Sequence, residues 1–278
     1  MPVYRRVGIL YNPRIGEGAA LAERLRETAA RAGVEAWSCA TTEPECVRAQ
    51  LPATGLMVSV GGDGTILRAV RAVVGVDAPV FGVNMGKLGF LAEVSGTQAE
   101  QALASLLEGG GWIDERTMLQ AEVWLAGSAT GDLLGHALND VVVGRGLAAR
   151  AITLDVCLDG EALMAYKADA LIVASATGST AYSLAAGGPV LYPNAADLLM
   201  KPVAPHLCPA PALVLPSDSV IDLQVHSDHG AVVSVDGQVE RPLANDDRVR
   251  VRRSPHKARL LRTSPREKLY PRVMQRLS

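Results

Sequence analysis

Up to Arg116, short apolar runs take turns with segments whose apolar residues recur every three or four positions. RVGILYN, VEAWSC, GLMVSV and PVFGVN have strand length and are apolar nearly throughout. Runs of that kind predict strands covered on both faces. Between them, GEGAALAERLRETAARAG places Leu21, Leu25 and Ala29 on one helical face and offers Gly33 as a stop. TILRAVRAVVG and TQAEQALASLLEGG predict two further helices. Strands separated by helices predict a parallel sheet with helices on both faces. In such sheets ligands sit beyond the carboxyl ends of the strands.

From Arg116 the rhythm changes. MLQAEVWLAG, LLGHALNDVVVGRG, AITLDVCLDGEALMAYKAD, ALIVAS, ALVLPSDSVIDLQVHS and AVVSVDGQVERPL read as strands punctuated by Gly, Asp and Pro. The Asp-Gly pairs in CLDGEAL and SVDGQVE predict tight hairpins. The expected architecture is an α/β Rossmann-like N-terminal domain with a parallel sheet, over 1–112. An all-β, antiparallel sandwich-type domain is expected over 113–247, followed by a basic C-terminal segment over 248–278 that is expected to return to the N-terminal domain. Gly109 to Gly111 provide the slack between the first two, and no internal repeat is visible.

Composition narrows the function classes. With 278 residues, 49% hydrophobic and mean hydropathy +0.17, the chain can bury a sizeable core. Aromatics make up only 4%, too few for stacking platforms along a nucleic acid, and the net charge of -2 gives no global attraction to one. The basic residues from Arg248 to Arg276 read as a solvated or subunit-facing tail. Cys39, Cys46, Cys157 and Cys208 show no metal-ligand or disulfide-framework spacing, so reduced thiols in a cytoplasm are expected. The start MPVYRRVGIL has no long apolar region, and no run reaches the length of a membrane span.

Candidate chemistry begins at Gly61-Gly62-Asp63-Gly64-Thr65, between an apolar strand and a helical pattern. Glycines let backbone amides approach a phosphate closely, and the following helix aims its positive end at the same place. A carboxylate there opposes a bare phosphate, unless it meets a cation or takes a proton from an attacking hydroxyl. Gly61 and Gly62 are therefore candidate phosphate binders, with Arg68 one turn into the helix as a cation. The bland alternative is a tight turn with a helix-capping aspartate. ATGSTAYSLAAGG follows an apolar strand and offers hydroxyls, amides and Tyr182 to a sugar, phosphate or base; its alternative is a helix entry capped by Thr177 or Ser179. Asn139-Asp140 supplies a donor–acceptor and an acceptor that fit a ribose diol, or simply an Asx turn. Lys167-Ala168-Asp169 is a charged pair or a solvated loop, and His206 is expected to be structural. G-x-x-x-x-G-K-[ST], a complete G-x-G-x-x-G, G-x-S-x-G and H-E-x-x-H are all missing from the chain.

Taken in order and spacing, GGDGT, VFGVNMGKLGFLAE, ALNDVVVGRG, KADALIVASATGSTAYSLAAGGPVL, VAPHLCP and VSVDGQ resemble the NAD kinases over about residues 5 to 263. GVNMGKLGFL and TGSTAYSLAAGGP are the most family-specific parts; GGDGT is shared with lipid kinases. The resemblance implies transfer of the γ-phosphate of ATP to the 2′-hydroxyl of the adenosine ribose of NAD+, with a divalent cation, Mg2+ or Mn2+. Asp63 would be the proton acceptor and Gly64 a backbone contact. Asn139 and Asp140 would hold the adenine or ribose, and Asp169, with Lys167 as its basic neighbour, the nicotinamide end. Thr180, Ala181, Tyr182, Ser183, Leu184 and Ala185 would line the dinucleotide site, with Arg150 and Gln238 as further contacts. No metal ligand is assigned, since the substrate phosphates would hold the cation. A cytoplasmic homodimer or homotetramer is implied, with no nucleic-acid or membrane partner. Three positions depart from the family pattern: Ala176 in SATGST, Ala185 where a serine is common, and Pro211-Ala212 where Arg-Pro is usual. The rival readings are an inactive NAD-binding sensor and a lipid kinase.

Overall fold

A computed structural model describes residues 2–86, 89–146, 150–206 and 211–276. Lys87 and Leu88 of the GVNMGKLGFL motif, Leu207, Cys208 and Pro209 of VAPHLCP, and Arg272's side chain lie outside that description. The chain divides into two compact units, one of 1–115 with 258–278 and one of 116–257.

In the first unit the chain runs β1 (Arg6–Tyr11), α1 (Gly18–Arg31), β2 (Glu35–Ala40), α2 (Pro44–Gln50), β3 (Leu56–Gly61), α3 (Asp63–Ala72), β4 (Val80–Asn84), β5 (Val94–Ser95) and α4 (Ala99–Leu107), and β6 (Trp112–Trp124) begins there. Strands β4, β3, β1 and β2 lie side by side, all parallel, as the strand–helix alternation predicts. Burial of β3 on both faces explains a run that is apolar but for Ser59. Leu56, Val58 and Val60 join Leu21 and Leu25 of α1 and Leu103 and Leu106 of α4 in one core. Met57 and Ser59 point the other way, where Ile66 of α3 lies over Gly82, the register partner of Ser59. α3 begins at Asp63, two residues earlier than its apolar pattern.

Within the second unit follow β7 (Asp132–Ala137), β8 (Asp140–Arg145), β9 (Ile152–Leu158), β10 (Glu161–Ala168), β11 (Ala170–Ala174), the four-residue α5 (Tyr182–Ala185), β12 (Leu198–Val203), β13 (Leu213–Leu215), β14 (Ile221–His226), β15 (Ala231–Val235) and β16 (Val239–Leu243). β17 (Arg248–Arg262) starts in this unit and ends in the first, ahead of α6 (Leu269–Gln275). One antiparallel sheet has the order β13-β12-β11-β8-β15-β16, and β10, β9, β14 and β17 pair antiparallel in the other. Alternate residues of both sheets, such as Val141, Leu171 and Val233 against Leu154, Leu223 and Val249, fill the core of a β sandwich. Both expected hairpins form at Asp159-Gly160 and Asp236-Gly237, where all four residues have positive φ (54°, 90°, 52° and 62°). That is the backbone a two-residue turn between twisted strands requires.

Two expectations are corrected. Cys39 and Cys46 form a disulfide, because the short α2 folds back on the end of β2 and brings their Cα atoms to 6.1 Å. Cys157 is a free thiol. The arginines from Arg248 onward are not a solvated tail but positions along a strand and its exit. Arg250 makes two 2.8 Å bonds to Asp222, Arg252 one of 2.7 Å to Glu122, and Arg259 pairs with Asp77.

Candidate active site

Gly61 ends β3, Gly62 is extended, and Asp63 opens α3, so the glycine-rich turn stands at the carboxyl end of a central parallel strand. The capping alternative for Asp63 fails. The residue preceding the helix is Gly62, and the Asp63 carboxylate bonds to a different loop. Oδ2 accepts the N–H of Phe90 at 2.7 Å and Oδ1 that of Leu91 at 3.1 Å. Gly89 passes so close that a Cβ there would overlap the carboxylate. Asp63 is thus fixed in orientation while each oxygen keeps a lone pair for another donor. Gly64 and Arg68 are exposed on the first turns of α3. Asn84 ends β4 in register with Gly61; it is 4% exposed, and its Oδ1 has no partner among the described residues.

The Leu91 carbonyl accepts a 2.7 Å bond from Arg262, which is 3% exposed. Arg262 also donates to Asp114 at 3.1 Å and Glu93 at 3.3 Å. Sequence reasoning missed this cluster, because its members lie far apart in the chain and carry no periodic signal.

In the second unit, the order β11-β8-β15 draws three loops together. The end of β11 lies beside the start of β8, with Ala174 opposite Asp140, so Ser175 donates its N–H to the Asn139 carbonyl at 2.9 Å and its hydroxyl to that of Leu138. The end of β15 lies on the other side of β8, and Asp236 donates its N–H to the Asp140 carbonyl at 2.9 Å. The Asp236 carboxylate accepts three consecutive backbone N–H groups, from Leu138 and Asn139 at 2.8 Å and from Asp140 at 3.1 Å. Asp140 is 6% exposed; burial first, then the charge of Asp236, pushes its carboxyl up to about 7. The Asx-turn alternative for Asn139-Asp140 therefore misses its main support, which comes from Asp236.

The segment expected to begin a capped helix is a 3-10 turn, Gly178–Thr180, followed by α5, and neither has a side-chain cap. It covers the outer face of the six-stranded sheet through Ala186 and Leu191. Gly178 packs on the Asn139 backbone, where a Cβ would overlap the carbonyl. Gly178→Ala is expected to cost about 1–3 kcal/mol, read as a lower urea midpoint at unchanged slope. Thr180, Ala181 and Leu184 are half-buried, Ala185 is exposed, and Tyr182 is 44% exposed. Ser183 faces inward at 0%, its hydroxyl without a partner among the described residues. Arg150 is exposed and Gln238 half-buried in the β15–β16 hairpin. Lys167-Ala168-Asp169 is not a loop, since Lys167 and Ala168 end β10. Asp169 pairs with Arg145 at 3.0 Å rather than with Lys167. His206 donates its backbone N–H to the Lys167 carbonyl at 2.7 Å.

Comparison with known proteins places the whole chain among one group of enzymes. The ATP-NAD kinase N-terminal domain matches residues 7–111 and the ATP-NAD kinase C-terminal domain residues 138–263. The NAD kinase of Dehalococcoides mccartyi is 40% identical over 275 residues, covering 99% of this chain and 96% of its own. That of Chloroflexus aggregans is 37% identical, covering 98% of each. Among solved structures, yeast NADH kinase complexed with NADH superposes with a TM-score of 0.84 at 25% identity, covering 100% of this chain and 88% of its own. An NAD kinase from Archaeoglobus fulgidus in complex with ATP gives 0.77 at 25% identity, covering 98% of each.

Proposed function

The chain belongs to the NAD kinase family and is an ATP-dependent NAD kinase, and on that premise we propose how its residues divide the work. The oxygen of the NAD+ adenosine-ribose 2′-hydroxyl attacks the γ-phosphorus of ATP, the bond to the bridging oxygen breaks, ADP leaves and NADP+ forms. Asp63 accepts the hydroxyl proton. The observation that carries this role is its placement, a carboxylate fixed by two amides at the mouth of a glycine-rich strand-to-helix turn. Gly61, Gly62 and Gly64 present backbone amides, and Arg68 a cation, to phosphate. Asn139, Asp140, Arg150, Lys167, Asp169, Thr180 to Ala185 and Gln238 hold NAD+. Incubation with NAD+, Mg2+ and γ-labelled ATP should give NADP+ labelled at the 2′-phosphate. Binding of NAD+ without turnover would instead mark a sensor, and label on a lipid alcohol a lipid kinase.

Asp140 adds a pH dependence. Its ionised form accepts ribose hydroxyls, so NAD+ affinity should fall below about pH 7, where the carboxyl takes up a proton. The same shift bears on stability with a definite sign. The folded carboxyl binds its proton more tightly than the unfolded one, so its contribution is fully present below the unfolded value of 3.8 and is lost as pH rises to about 7. Asp140→Asn should therefore raise stability at pH 8 by about 2–4 kcal/mol. The same variant should weaken NAD+ binding ~10- to 100-fold and flatten its dependence on pH between 6 and 8, by calorimetry at several pH values.

A divalent cation, Mg2+ or Mn2+, would be held mainly by the substrate phosphates and would supply charge neutralisation on the transferring group, with Asp63, whose oxygens each keep a lone pair, facing it. A homodimer or homotetramer is supported by β10, an outer strand that leaves Leu163 and Met164 41% and 40% exposed; light scattering on the purified protein tests it. Among the described residues no helix is long and apolar enough to cross a membrane. We place the protein in the cytoplasm, where ATP and NAD+ are available. The Cys39–Cys46 disulfide runs against a reducing compartment, and cell fractionation with thiol trapping decides the matter.

A further inference from the structure

We infer that Asp236 is a positioning residue, whose carboxylate shapes the Leu138-Asn139-Asp140 backbone so that Asn139 and Asp140 meet the dinucleotide. The inference rests on the NAD kinase reading above. Asp-Gly at a hairpin tip is fully explained by turn geometry, which asks only for positive φ at both residues. Turn geometry does not ask for three bonds to another loop. The Asp236 carboxylate accepts from Leu138, Asn139 and Asp140 in succession, at 2.8, 2.8 and 3.1 Å. Successive N–H groups converging on one anion form a nest. Here the anion belongs to the protein, so the Asn139-Asp140 backbone is set before any ligand arrives.

The other hairpin shows what a turn aspartate does away from the site. Asp159 has the same positive φ beside Gly160, and its carboxylate accepts the Val220 N–H at 2.7 Å. Among the described residues its carboxylate accepts no bond from the Asn139-Asp140 loop. Asn suits the first position of such a turn as well as Asp does, so Asp→Asn preserves either hairpin while removing its charge. At Asp236 it also turns one of the two oxygens into a donor facing backbone N–H groups. Ser175 supports the same loop from the β11 side by a neutral hydroxyl and N–H, and Arg116 reaches Thr177 beyond it at 3.1 Å. The negative charge beside Asp140 comes from Asp236.

The test compares wild type, Asp236→Asn, Asp236→Ala and Asp159→Asn in steady-state NADP+ formation, with pH profiles and urea midpoints. For Asp236→Asn the expected result is a KM for NAD+ raised ~10- to 30-fold, with KM for ATP and kcat within ~3-fold of wild type. Its acidic limb in kcat/KM for NAD+ should also move ~0.5–1 pH unit lower, because the like charge beside Asp140 is gone. Asp159→Asn should change neither constant. Asp236→Ala should show the same KM effect, enlarged, if it folds; Asp236→Asn carries the test if it does not. A lowered urea midpoint with both KM values and the acidic limb unmoved would reduce Asp236 to a structural residue. Equal loss with NAD+ and ATP would do the same. If wild type forms no NADP+, the kinase reading fails, and NAD+ calorimetry decides Asp236 alone: weaker binding in Asp236→Asn but not Asp159→Asn upholds it, and equal binding overturns it.

Discussion

Asp63→Asn is expected to bind NAD+ and ATP and to lose ~10²–10⁴-fold in kcat, the range for a positioned general base. A ribose hydroxyl is a poor nucleophile at neutral pH, and a carboxamide cannot take its proton. The geometry adds a second cost. Each Asp63 oxygen accepts an N–H, from Phe90 and Leu91. An amide side chain must turn its NH2 toward one of those donors, loosening the loop as well as removing the base. Asp63→Glu separates the two effects. It restores a base, but Gly89 packs directly against the carboxylate and leaves no space for another methylene. Glu should therefore recover little of the lost rate. Rapid-quench measurement of 2′-labelled NADP+ gives the chemical step for all three proteins, and NAD+ calorimetry confirms that binding persists. Wild-type kcat in Asp63→Asn would remove Asp63 from the base role and leave alignment and phosphate electrostatics to supply the rate.

How far these features were legible depended on the range of the interactions behind them. The run from Leu56 to Val60, apolar but for Ser59, announced a strand buried on both faces, and all five residues are buried in a parallel sheet. The Asp-Gly pairs announced hairpins because a two-residue turn is a local requirement. α2 escaped notice because it is seven residues long and buries only Val47, too little for a periodic pattern. The disulfide escaped with it, since only that helix brings Cys46 to Cys39. Asp236 was visible only as a turn residue. Its second function depends on β15 lying beside β8, a neighbour relation that no spacing encodes. The same holds for Asp169, whose partner Arg145 comes from β8 rather than from the adjacent Lys167.

Arg262 is the extreme of that long-range kind, and Arg262→Met should destabilise the protein by about 3–5 kcal/mol. Asp114 is 0% exposed and Glu93 6%, and both bond to the Arg262 guanidinium. Glu93 has further donors in the N–H groups of Thr263 and Ser264, at 3.1 and 2.7 Å, but these do not offset its charge. Removing the arginine takes a charge partner from two buried carboxylates at once, and most of the cost is the desolvation that its charge had offset. The urea midpoint should fall accordingly. Arg262→Lys keeps the charge but loses the fork that reaches Asp114, Glu93 and the Leu91 carbonyl together. Its stability loss should be smaller while its catalytic loss is disproportionate, ~10-fold in kcat, because only the Leu91 Cα separates the carbonyl that meets Arg262 from the N–H that holds Asp63. Wild-type kcat in Arg262→Lys, beside a reduced midpoint, would show that the loop holding Asp63 keeps its shape without this support.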